Sequence, residues 1–126
     1  MNDLLFSIQL SVMVATVSTV IVAFLGAILG FILARGSFPG RNLLDAICTL
    51  PLILPPTVVG FYLLGVFGRQ GWIGQHLFQI TGWSPVFTWQ AAVIAAVVIS
   101  IPLMVKTSKA AFESVDSTLE DASLTL

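Results

Sequence analysis

The chain has 126 residues, of which 57% are apolar and only 9% charged, with a mean hydropathy of +1.03. Soluble domains carry about 25% charged residues, so a water-facing surface is excluded and a membrane solvent is indicated. Five Lys/Arg residues scattered over the chain, at a net charge of −1, form no basic patch, so no nucleic-acid partner is expected, and a single cysteine excludes an intrachain disulfide. Cys48 lies in an apolar run and reads as a small buried hydrophobe.

The first uncharged stretch runs from Leu4 to Ala34. A bilayer core of ~30 Å needs ~20 helical residues, so this run spans. It is no signal peptide, because the only early charge is the acidic Asp3 and the apolar core is far too long. Ser7, Ser11, Ala15, Thr19, Ala23 and Ala27 recur every fourth residue, and Gly26, Gly30 and Ala34 add a GxxxG pattern. Small residues let helices approach closely in lipid, so this row predicts a helix clamped against neighbours. The pattern fits any helical bundle as well as a transporter.

The second stretch, Ala46 to Gly68, carries Pro51, Pro55 and Pro56. Each proline removes an N–H and clashes with the carbonyl four residues back, so Pro51 and Pro55 free the carbonyls of Ile47 and Pro51. Neighbouring hydroxyls, among them Thr49 and Thr57, or a water-filled cavity satisfy such groups. Pro51, Pro55, Pro56 and Thr57 are therefore either a pathway-lining break or a structural kink.

Arg69 to Val86 is glycine-rich and punctuated by Trp72 and Trp83. With Trp89 these suit an interfacial aromatic belt. Trp72, Ile73, Leu77 and Ile80 at near-helical spacing predict a short helix on the membrane surface. The third span is Phe87 to Val105, with Pro102 near its end. Arg35 and Arg41 follow the first span and Lys106 and Lys109 follow the third, whereas only Arg69 lies in the second connection. The positive-inside rule then predicts an external N-terminus and a cytoplasmic tail.

After Met104 the chain changes character. Phe112, Val115, Leu119, Ala122 and Leu126 form one apolar helical face, and Glu113, Asp116 and Glu120 an acidic stripe. Ser117 and Glu120 have capping-box spacing, which predicts a break at Val115–Ser117 and a fresh helix from about Thr118. Such a helix either docks a cytoplasmic partner or frays. The expected fold is all-α: one polytopic membrane domain over 1–126, with spans at about 6–34, 45–68 and 87–105 and a cytoplasmic segment at 106–126.

Catalytic chemistry is not visible in this pattern. His76 has no second histidine or cysteine near it to share a metal, there is no Walker A motif, and no Asp or Glu lies within the uncharged stretches Leu4–Ala34, Ala46–Gly68 and Phe87–Val105. The last point disfavours a proton-coupled transporter. No cofactor is expected.

The stretch Phe112-Glu-Ser-Val-Asp-Ser-Thr-Leu-Glu-Asp-Ala-Ser-Leu-Thr-Leu126 resembles the start of the EAA loop of ABC importer permeases. Glu120 and Ala122 match the first and third signature positions, while Asp121 departs from the usual alanine. Ser37-Phe-Pro-Gly-Arg41, Leu50-Pro-Leu-Ile-Leu-Pro-Pro-Thr-Val-Val-Gly-Phe-Tyr-Leu-Leu64, Gly68-Arg-Gln-Gly-Trp-Ile-Gly74 and Ile101-Pro-Leu-Met-Val105 resemble the molybdate type in order and spacing. Sulfate/thiosulfate permeases share similar proline-rich second spans.

The resemblance implies a multi-pass plasma-membrane (inner-membrane) subunit importing molybdate or tungstate with ATP hydrolysed by a partner. It implies a second permease copy, an ATP-binding ABC ATPase and an external oxyanion-binding protein as partners, within membrane lipid. It further implies that Glu113, Asp116, Leu119, Glu120, Asp121 and Ala122 start the coupling helix that docks the ATPase. A full member continues through the signature glycine and at least two more spans, so the chain is expected to be an N-terminal part that neither transports nor docks productively alone. A sulfate permease, a three-span structural protein and a small secondary transporter are the competing readings.

Overall fold

The computed structural model describes residues 1–125, apart from the side chains of Asp116, Ser117, Thr118 and Glu120. The chain is an all-α membrane bundle. Its helices are α1 (Asn2–Arg35), α2 (Arg41–Ile53), α3 (Pro56–Phe67), α4 (Trp72–Thr81) and α5 (Trp89–Thr125), with no strand among the described residues. Of these, α1 and α5 are each long and apolar enough to cross a membrane.

The most extensive pairing is between α1 and α5. A Cβ built on Gly26 would lie 2.8 Å from Met104 Cβ, and one on Gly30 would lie 2.5 Å from Ser108 Cβ and 2.9 Å from the Lys109 nitrogen. Residue numbers rise together along both helices, so α1 and α5 run parallel. Further along, Val22, Val93 and Val97 form a small apolar core with Val14, Val17 and Ile101 packed around it. At the Arg35 end, the Phe31 and Phe112 rings meet edge to face at 5.3 Å, and the Arg35 guanidinium lies 5.0 Å above the Phe31 ring.

The row of small residues behaves differently from its prediction. The seam consists of Ser18, Val22, Gly26, Gly30 and Leu33, whereas Ser7, Ser11, Ala15, Thr19 and Ala23 are exposed and Ala27 is half-buried. That row lies one residue, about 100° around the helix, from Ser18, Val22, Gly26 and Gly30, so it misses the partner. Only the Gly26–Gly30 step coincides with the seam. Several of the outward hydroxyls satisfy themselves on their own helix, Ser7 donating to the Asp3 carbonyl at 2.9 Å and Thr19 to the Ala15 carbonyl at 2.6 Å.

Gly40, at φ 94°, turns the chain from α1 into α2 in a conformation that side chains resist. The Arg41 Nε then donates to the Leu33 carbonyl at 2.8 Å, satisfying one of the carbonyls that a helix C-terminus leaves unpaired. The expected second span of 45–68 is not one straight helix. It divides at Leu54–Pro55, and α2 and α3 meet at a bend of 113°. With 13 and 12 residues they are about 20 and 18 Å long, each too short for a ~30 Å core.

The bent pair nevertheless carries the chain back along the bundle. Asp45 of α2 reaches Lys109 midway along α5, while α3 faces Val86, Ala91 and Ala95 around its start. Such a return is required, since parallel α1 and α5 start from the same end. Beyond α3, α4 folds back closely, because a side chain at Gly71 or Gly74 would collide with the carbonyls of Gly65 and Val66, or of Phe67 and Gly68. The short helix foreseen around Trp72–Ile80 is thus present, with Trp72 and Ile80 fully outward.

The foreseen break at Val115–Ser117 is absent: α5 is continuous from Trp89 to Thr125. No glycine or proline interrupts 103–125, so backbone hydrogen bonding propagates past the serine. The capping box of Ser117 and Glu120 itself lies outside the described side chains.

Candidate functional site

The Leu54–Pro55 break is local in origin. Pro51 sits inside α2 and removes a donor there, and the consecutive Pro55 and Pro56 then force extended backbone at Leu54 (φ −78°, ψ 142°). Pro55 also remains extended (φ −59°, ψ 143°). The interruption closes on both sides: the Leu54 N–H donates to the Leu50 carbonyl at 3.3 Å, and the Pro55 carbonyl accepts from Val58 and Val59 at 3.0 and 3.1 Å. Pro56 opens α3 at a first-turn position where a missing N–H does no harm.

Restarting the helix here brings Thr57 to a cleft of about 620 Å³ between α3 and the start of α5. Gly60, Phe61 and Leu64 line it from α3, and Val86, Ala91 and Ala95 from the other side. Thr57 contributes the one hydroxyl among the described lining residues, and no charge is present. Phe87, at the rim, is 99% exposed and holds φ 60°, a conformation uncommon for a bulky residue. Of the four residues foreseen at the break, Pro51 is half-buried and Pro55, Pro56 and Thr57 are exposed; only Thr57 lines the cleft. Thr49 does not serve the carbonyls freed by the prolines, because its hydroxyl donates to the Asp45 carbonyl at 2.7 Å.

A second cavity of about 470 Å³ lies around Arg69, Phe78, Trp83 and Ser84. The Arg69 guanidinium stands 5.3 Å above the Phe78 ring, and the Ser84 hydroxyl is buried with no protein partner. His76 is exposed on α4, and among the described residues no three His, Cys, Asp or Glu side chains gather as a metal site would require.

The foreseen docking residues lie at the far end of α5. Glu113, Leu119, Asp121 and Ala122 are exposed, Leu119 at 61%, while the side chains of Asp116 and Glu120 lie outside the described set. Unforeseen was a charged junction just before this segment. The Lys109 ammonium lies 3.9 Å from the Asp45 carboxylate, with the side chains 28% and 41% exposed. The signal for it in the sequence is a single acid, Asp45, on the same side of the spans as the cation Lys109.

Residues 24–126 match the family model described as binding-protein-dependent transport system inner membrane component. The chain is 42% identical over 120 residues to "Molybdenum transport system permease protein ModB" of Escherichia coli (strain K12), covering 95% of this chain and 52% of that protein. It is 39% identical over 120 residues to the ModB protein of Haemophilus influenzae, with the same two coverages. It is 37% identical over 116 residues to "Probable sulfate transport system permease protein cysT" of Chlorokybus atmophyticus, covering 92% of this chain and 40% of that protein. The chain thus spans about half the length of the curated relatives it matches.

Proposed function

Because the chain belongs to the family of binding-protein-dependent transport system inner membrane components, we propose that it forms part of an ABC importer permease that carries molybdate or tungstate. In this reading it crosses the membrane at α1, at the bent pair α2–α3 and at α5. The ends bearing Arg35, Arg41, Lys106 and Lys109 face the cytoplasm, and the N-terminus and the Arg69 connection face outside. The parallel course of α1 and α5 supports the three crossings, because it demands one return between them.

The observation that carries the transport reading is the break at Leu54–Pro55. It opens an otherwise apolar hairpin and turns a hydroxyl, Thr57, into a cleft within the bundle. Backbone that is not helical is tolerated at membrane depth where protein or water covers it. A dianion passing there would be held by hydroxyls and backbone N–H groups rather than by full charges. An external protein would capture the oxyanion, and a second permease copy would complete the pathway. ATP hydrolysis would belong to partner subunits, docked on the segment with Glu113, Asp116, Leu119, Glu120, Asp121 and Ala122.

Molybdate is favoured over sulfate because the molybdenum permeases show the higher identities among the relatives given above. The sulfate relative keeps sulfate as the second reading. The deciding experiment is ATP-dependent uptake of labelled molybdate by cells that rely on the protein carrying this sequence, with unlabelled sulfate as competitor. Uptake abolished by sulfate at a concentration equal to that of molybdate would assign the sulfate class, and uptake insensitive to ATP depletion would reject the importer reading.

A further inference from the structure

Three helices meet at Lys109. Its backbone nitrogen lies so close to Gly30 that a Cβ on the glycine would approach it to 2.9 Å, which pins α5 to α1 at this level. Its side chain leaves the α1–α5 pair and reaches Asp45 on α2 at 3.9 Å. One turn earlier, the first turn of α2 is tied to the end of α1 by the Arg41–Leu33 hydrogen bond at 2.8 Å.

The two ends of this junction lead to the two parts of the candidate site. Lys109 precedes Glu113, the first docking residue, by one helical turn on α5. Asp45 precedes Pro51 and the break on α2, and the intervening turn is stiffened by the Thr49 hydroxyl bonded to the Asp45 carbonyl at 2.7 Å. A displacement of α5 at the docking end must move Lys109, and the ion pair gives α2 a charged tether that follows it. Beyond Leu54 the tether ends, because the helix is interrupted.

We propose that the Asp45–Lys109 pair is a positioning link that couples displacement of the docking segment to the angle of the proline-broken pair α2–α3. This rests on the importer reading above. A half-exposed ion pair contributes little to stability, so its loss should leave the fold intact. Residues along a coupling route change coupling by about 0.5–2 kcal/mol, which corresponds to roughly twofold to thirtyfold in the coupled quantity.

The test compares D45N, K109Q, the double variant D45N/K109Q and the charge-reversed pair D45K/K109D in the full-length transporter with its ATPase and binding protein. The readout is oxyanion uptake per ATP hydrolysed, alongside membrane abundance. Each neutral variant is expected to lower uptake per ATP by at least about twofold at unchanged abundance. The double variant should add little to either single change, and the reversed pair should recover uptake. A purely structural tether would lower abundance and leave uptake per ATP unchanged, and that result overturns the proposal, as does failure of the reversed pair to recover while it reaches normal abundance. If poor abundance obscures a variant, D45E and K109R keep the charges and should retain normal coupling; loss of coupling in both at normal abundance also overturns it. Absence of ATP-dependent uptake in the unmutated transporter would reject the importer reading itself, and the link with it.

Discussion

Replacing Gly30 with alanine tests how closely α1 and α5 must approach. The added methyl carbon would lie 2.5 Å from Ser108 Cβ, 2.9 Å from the Lys109 nitrogen and 3.1 Å from the Val105 carbonyl oxygen. Carbon–carbon contact is optimal at about 3.5–4.0 Å, so the helices must part by about 1 Å at this level. Two of the three obstacles are backbone atoms and cannot rotate aside. Overpacking of this kind costs about 1–3 kcal/mol, against a gain of up to ~1 kcal/mol from the better helix propensity of alanine. A net loss of roughly 1–2 kcal/mol is expected. Gly26→Ala should cost less, because Met104 Cγ can turn away and the nearest backbone atom is 3.5 Å off, although Met104 Cβ at 2.8 Å stays in place. Gly60→Ala is the control, since nothing lies within 4 Å of its Cβ position, and it should be neutral or slightly stabilising. The assay is SDS titration of the purified protein in mild detergent, followed by circular dichroism. The ranking Gly30 worst, Gly26 intermediate, Gly60 harmless is the expected result. A Gly30→Ala protein as resistant as the parent would refute the close α1–α5 approach.

Other consequences follow from the break and the docking segment. The combined change P55A/P56A restores two backbone donors and permits α2 and α3 to straighten, so transport should fall while abundance stays normal; normal uptake would remove the break from the pathway. T57V deletes the cleft hydroxyl at nearly constant volume. Because a hydrogen bond to a charged group contributes about 1.5–3 kcal/mol, it should raise the KM for the oxyanion at least about tenfold without altering detergent stability. Leu119 is 61% exposed on α5, so L119E should leave the fold unchanged yet weaken co-purification of the ATPase by about tenfold or more if it is a docking hot spot. Undiminished co-purification would place docking elsewhere.

Much was legible in the chain itself because membrane insertion depends on local sums. Hydropathy, helix length and the scarcity of charge require only short windows, and they led to an all-α membrane bundle with α1 and α5 as long apolar helices. Proline chemistry is equally local, so the interruption near Pro51, Pro55 and Pro56 could be anticipated, as could the short helix at Trp72–Thr81. The motif resemblance led to the family that residues 24–126 match.

What one helix does to another was decided only by the tertiary structure. The rotation of α1 about its axis determines which small residues meet α5, and the row from Ser7 to Ala27 lies about 100° around the helix from the equally spaced Ser18, Val22, Gly26 and Gly30 that do. The size of the bend at Leu54–Pro55 depends on where α2 and α3 each find packing, α2 midway along α5 and α3 around its start, and not on the prolines alone. Asp45 and Lys109 are distant in sequence, and only the return of α2 alongside α5 brings them together. In each case a side chain or backbone group had two locally acceptable arrangements, and the choice was made by a neighbour that no sequence window contains.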